Sequence, residues 1–88
     1  MKKTSQQSQR NTIGARIRKT RLARNPPVSQ EDLAGRLAVK GVVLDQTAIS
    51  RIESQTRYLM DYEIAAIASS LKVSVGFLFG ESGVSKNR

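Results

Sequence analysis

Residues 29–53 read SQEDLAGRLAVKGVVLDQTAISRIE, and this stretch decides the fold. Its apolar residues recur at three and four, with Leu33, Ala34 and Leu37 in the first half and Ile49 and Ile52 in the second. That is the spacing of one buried helix face, not the alternation of a strand. Ser29 and Asp32 stand three apart, as in a capping box that opens a helix, and Gly41 supplies its stop. Asp45 then caps a second helix over about 45–54. Val42, Val43 and Leu44 between them form a short apolar connection packed over the core.

The same periodicity continues on both sides. Upstream, Thr12 is placed to cap a helix that carries Ile13 and Ile17 on one face and arginines around the rest; it stops before Asn25-Pro26-Pro27. Downstream, Asp61 is placed to cap a helix with Ile64, Ile67, Ala68 and Leu71 at its buried positions and Lys72 in its last turn. Ser74 opens a short fifth helix, Val75 to Phe79, ended by Gly80. The expected architecture is all-α, a compact five-helix bundle over residues 12–80. Residues 1–11 hold no apolar side chain after Met1 and are expected to be a flexible basic arm; residues 81–88, ESGVSKNR, are expected to be a flexible tail.

With 88 residues the chain has room for one domain and none for a separate sensor or catalytic unit. Cysteine and histidine are absent, which removes disulfides, thiolate chemistry and the usual zinc ligands. Asp45 and Asp61 are accounted for as caps, which leaves Glu63 without a catalytic partner. The expectation is therefore a non-enzyme with no cofactor. Fifteen Lys and Arg against seven Asp and Glu give a formal charge of +8, so a polyanion is the default partner. The excess is local: residues 1–24 carry eight basic side chains and no acid, whereas residues 25–80 have a net charge of −1. No apolar run reaches the 18 or so residues needed to span a bilayer, and no signal-peptide core follows Lys2 and Lys3. A soluble, cytoplasmic protein is expected. A membrane-surface role for residues 1–24 is disfavoured because Ile13, Ile17 and Leu22 are needed by the core.

The helix over 45–54 has an outer face of Gln46, Thr47, Ser50 and Arg51, polar and nearly uncharged. A helix suits the DNA major groove when it exposes short hydrogen-bonding groups, since Gln pairs bidentately with adenine N6 and N7 and Arg with guanine O6 and N7. Tyr58, Leu59, Met60 and Tyr62 lie beside the following loop and read as loop packing. The few aromatics are not interleaved with basic residues, as a single-strand or RNA binder would require.

Four segments in order, IGARIRKTR, SQEDLAGRL, QTAISRIE and EIAAIASSLKVSVGFLFG, resemble the helix-turn-helix domain of phage repressor and Cro proteins, the xenobiotic-response-element family of regulators. The resemblance covers residues 12–80 and makes the second and third helices the helix-turn-helix. It implies that Gln30 binds phosphate and buttresses Gln46, that Thr47 and Arg51 touch bases, and that Ala48 meets a thymine methyl. It implies further that Ser54, Gln55, Thr56 and Arg57 follow the phosphate backbone and that Arg21 pairs with Glu53 to tie the third helix to the first. One departure is evident: Gln46 follows Gln30 by sixteen positions, several more than in the phage repressors, though a subgroup of similar regulators carries such a lengthened turn.

The function these readings imply is sequence-specific binding of double-stranded DNA, as a repressor acting through the third helix. One such domain contacts too few base pairs to select a site in a genome, so a two-fold homodimer is expected, with Phe77 and Phe79 at the interface. The alternative from another class is an antitoxin or adaptor that uses Phe77, Leu78 and Phe79 to dock a protein partner. The basic residues of the first helix serve either phosphate contact or solubility. Lys2, Lys3 and Arg10 are either an inert extension or an arm reaching into a neighbouring minor groove.

Overall fold

The computed structural model describes residues 9–81; Lys2, Lys3 and the expected C-terminal tail beyond Glu81 lie outside the described residues. Five helices follow in order: α1 Gly14–Ala23, α2 Gln30–Val39, α3 Gln46–Glu53, α4 Asp61–Leu71 and α5 Val75–Leu78. There is no strand among the described residues. No helix among them is long and apolar enough to cross a membrane.

The periodic apolar positions meet in one core. Ile13 and Ile17 of the α1 segment, Leu33 and Leu37 of α2, Ile49 and Ile52 of α3, Ile67 and Leu71 of α4 and Leu78 of α5 are all sealed from solvent. Helix α3 packs on both α1 and α2, α4 packs on the same two, and α5 closes against α4. Leu22 is a correction to the expected core: it is 44% exposed on the outer side of α1, so burial in the fold does not claim it.

The α1 entry also differs from expectation. Thr12 makes no cap; instead Asn11 Oδ1 accepts from the N–H groups of Ile13 (3.1 Å) and Gly14 (2.7 Å), satisfying donors that the helix itself leaves open. Asn11 Nδ2 donates to the carbonyls of Ile52 (3.1 Å) and Arg57 (2.8 Å), and its own carbonyl accepts from Gln55 Nε2 (3.1 Å). Arg10 N–H adds a bond to the Gln55 carbonyl (2.9 Å). Arg10 and Asn11, placed in the arm by their composition, thus belong to the folded unit and lock the start of α1 onto the end of α3.

Helix α2 opens on the expected capping box, with Ser29 Oγ accepting from Asp32 N–H at 2.9 Å, and Asp45 Oδ1 caps α3 by accepting from Ala48 N–H at 2.8 Å. For α4 the expected cap is corrected: Asp61 is the first helical residue, and it is Glu63 that reaches back to accept from Met60 N–H at 2.9 Å.

Helices α2 to α5 all stop by one device, in which two successive N–H groups fold back on the last turn around a left-handed residue. Gly41 (φ 85°) and Gly80 (φ 91°) fill that place after α2 and α5, as glycine can without steric cost. Gln55 (φ 67°) and Lys72 (φ 60°) fill it after α3 and α4. Lys72 is therefore the residue beyond the last turn, not within it. The carbonyls at that end of α4 accept instead from Arg24 Nη1 on Leu71 (2.9 Å) and Arg36 Nη1 on Ser70 (3.0 Å), two cations where the helix dipole is negative.

Candidate nucleic-acid interface

The α2–α3 connection explains how two glutamines sixteen positions apart come together. After Gly41 turns the chain, Val42 N–H bonds the Leu37 carbonyl at 2.9 Å, Val42 and Leu44 drop into the core, and Val43 points outward, 88% exposed. The connection is anchored at two points, and α3 starts directly beside the start of α2. Gln46 Nε2 lies 3.3 Å from Gln30 Oε1.

On α3, Gln46, Thr47, Ser50 and Arg51 are exposed, Ala48 is half-buried, and Ile49, Ile52 and Glu53 are buried. The four exposed residues span an arc of about 140° at 3.6 residues per turn. Arg51 is the one charged side chain in that arc.

Behind this face lies an ion pair. Arg21 donates to Glu53 through Nε (2.7 Å to Oε2) and Nη2 (2.8 Å to Oε1), and gives Nη1 to the Val28 carbonyl (2.8 Å). Both residues are buried. The hydrogen bond to Glu53 raises the Arg21 pKa above its ordinary value; burial pulls it down, and the attraction of the opposite charge adds to the rise. Glu53 Oε1 also accepts from Gln30 Nε2 at 3.1 Å, so the pair continues outward through Gln30 to Gln46.

The four loop residues after α3 divide. Ser54 and Thr56 are exposed, their hydroxyls 3.1 Å apart and both bonded to the Arg51 carbonyl. Gln55 is turned inward onto Asn11. Arg57 is engaged by Glu63, at 3.1 Å from Nη1 to Oε1, and by the Tyr58 carbonyl at 2.9 Å. Arg21, Arg24, Arg36 and Arg57 thus hold internal acceptors, whereas Arg18 and Lys19 are exposed on α1 along a shallow depression with Thr12, Ala15, Leu22 and Ala23. Asn11 is the residue that sequence reasoning missed; its signal was an Asn two residues ahead of the first buried isoleucine.

At α5, Leu78 is in the core, Phe77 is half-buried beneath the Arg16 guanidinium at 5.6 Å, and Phe79 is 53% exposed. Phe79 borders a groove with Arg10, Leu59 and Ile64. Burial removes Leu78 from any docking surface. No group of His, Cys, Asp and Glu among the described residues is placed to hold a metal ion.

No protein-family model, curated protein or solved structure matches this chain.

Proposed function

We propose that the chain binds double-stranded DNA in a sequence-dependent manner and regulates transcription, as a repressor, by seating α3 in the major groove. The carrying observation is the outer face of α3, short polar side chains with a single arginine, on a helix whose inner face is fully committed to the core. Such a face offers donors and acceptors at the reach base edges require. The resemblance of residues 12–80 to phage repressor and Cro domains supports the same reading. Gln46, Thr47, Ala48, Ser50 and Arg51 are the base-reading residues, and Ser54, Thr56 and the start of α2 at Gln30 approach phosphate. Counterion release by Arg18, Lys19 and Arg51 supplies affinity for any duplex.

A homodimer fits this reading, with Phe79 and Val75 (41% exposed) as apolar anchors and half-sites about 34 Å apart, one helical turn. The exposure of Phe79 beside its groove also favours the second reading, a protein-interaction module of the antitoxin or adaptor kind; a small protein co-purifying in equal amount would support it.

Selection of bound duplexes from a random pool at stated salt tests the first reading. A defined motif is expected, and Gln46→Ala and Arg51→Ala should each relax one position in it. A pool that emerges unenriched, or a motif indifferent to both substitutions, overturns it.

A further inference from the structure

Three cations converge on the C-terminal end of α4. Arg24, which follows α1, Arg36 of α2 and Lys72, which follows α4, line one cavity of about 490 Å³. The ion pairs among the described residues are Arg21–Glu53 and Arg57–Glu63, so none of the three has a carboxylate partner there. Arg24 and Arg36 each give Nη1 to a carbonyl, that of Leu71 and that of Ser70. A guanidinium carries five N–H groups in a planar fork, so one bond leaves most of each unused. Arg24 Nε is buried without an acceptor. A donor desolvated in this way is short of an oxygen. The other buried side-chain polar atom without a partner, Ser70 Oγ, belongs to the same end of α4, beside a second depression that Arg36 and Lys72 also line.

The rest of the cavity narrows what can satisfy these groups. Ala23, Pro26 and Pro27 form an exposed apolar wall. Asp32 also lines the cavity, so three positive charges stand against one negative: a single anionic group is attracted, while a second would meet Asp32. A planar carboxylate matches the Nε–Nη2 edge of a guanidinium bidentately. The volume lies within the range of small-molecule pockets, roughly 300–1,000 Å³. We propose that this cavity is a binding site for a small organic monocarboxylate. Its carboxylate sits on Arg24, with Arg36 and Lys72 as flanking charges, and its apolar body lies against Ala23, Pro26 and Pro27. No lining residue belongs to α3 or to the loop after it, so the site stands apart from the DNA-binding reading.

The test uses benzoate as the probe, benzamide as its neutral counterpart and inorganic phosphate as a bare anion. Each is titrated into the full chain at low salt while backbone amide and arginine Nε–H resonances are followed by NMR. Benzoate should give saturable shifts at Arg24 Nε–H and at the backbone amides of Arg24, Val28 and Lys72. Benzamide should give none, and phosphate should bind more weakly than benzoate. Arg24→Gln should weaken benzoate about tenfold or more, the worth of hydrogen bonds to a charged group. That variant also gives up the bond to the Leu71 carbonyl and risks the fold. Lys72→Gln is the companion, because Lys72 is exposed beyond the last turn of α4. It should fold normally and weaken benzoate by about two- to fivefold, the range of an exposed ion pair. Shifts that never saturate, or that fall equally on Arg18, Lys19 and Arg51, overturn the site. So does benzamide or phosphate binding as tightly as benzoate, or an affinity for benzoate that Lys72→Gln leaves unchanged.

Discussion

Gly14 lies directly against the carbonyl oxygen of Ile52, and a β-carbon on Gly14 would collide with that oxygen. The first turn of α1 thereby touches the last turn of α3 backbone to backbone, with Asn11 bridging the two. The close approach fixes the pitch of α3 against the bundle.

Gly14→Ala should therefore destabilise the fold by about 2–3 kcal/mol, because the obstacle is backbone and has no flexible end to yield. Gly35 is the internal contrast: it sits mid-way along the exposed side of α2, with open space where a β-carbon would go. Gly35→Ala should stabilise by roughly 0.5–1 kcal/mol through helix propensity alone. Urea denaturation of the two variants checks both signs.

Arg21→Met should cost about 3–5 kcal/mol, since it leaves the Glu53 carboxylate buried with only Gln30 as donor. Replacing both partners, as in Arg21→Met with Glu53→Leu, should recover most of that loss, because no charge then stays unpaired in the core. If the double variant is as unstable as the single, the pair contributes through shape and not through charge.

How far the chain was legible depends on which interactions are local. The buried positions of each helix followed from spacing, because a 3.6-residue period places them on one face whatever the partner is. Ser29, Asp45, Gly41 and Gly80 were legible as caps or stops for the same reason: each acts within four residues of itself. Asn11 was not, because its weight comes from bonds to Ile52 and Arg57, more than forty residues away. Gln55 and Lys72 were not, because the left-handed stop is ordinarily announced by glycine and these side chains carry no such mark. On the candidate site, spacing put Gln46, Thr47, Ser50 and Arg51 on one face. It did not foretell that Arg57 is drawn onto Glu63, a choice made by the packing of the loop.

Lys72 offers a direct check of that reasoning. A side chain with a β-carbon in the left-handed region costs about 1–2 kcal/mol relative to glycine, so Lys72→Gly should raise stability by up to about 1 kcal/mol after the added freedom of the unfolded chain is offset. Gln55→Gly should gain less or lose, because it also removes the bond from Gln55 Nε2 to Asn11. Thermal unfolding ranks the two.

The division of the arginines makes the last prediction. Arg57 is held by Glu63, which is itself buried, so Arg57→Ala should first lower stability by leaving that carboxylate with a weaker set of donors. Its effect on DNA affinity should be modest. Arg51 has no such internal partner among the described residues, and Arg51→Ala should cost about 1–3 kcal/mol on the selected site while relaxing one base position. Arg18→Ala and Lys19→Ala should weaken every duplex alike, and each residue that contacts a phosphate should take about one unit off the slope of log affinity against log salt. Titrations at several salt concentrations separate the three behaviours. An Arg57→Ala variant that folds as well as the native protein yet loses salt slope would move that residue from the loop's internal pairing to the DNA surface.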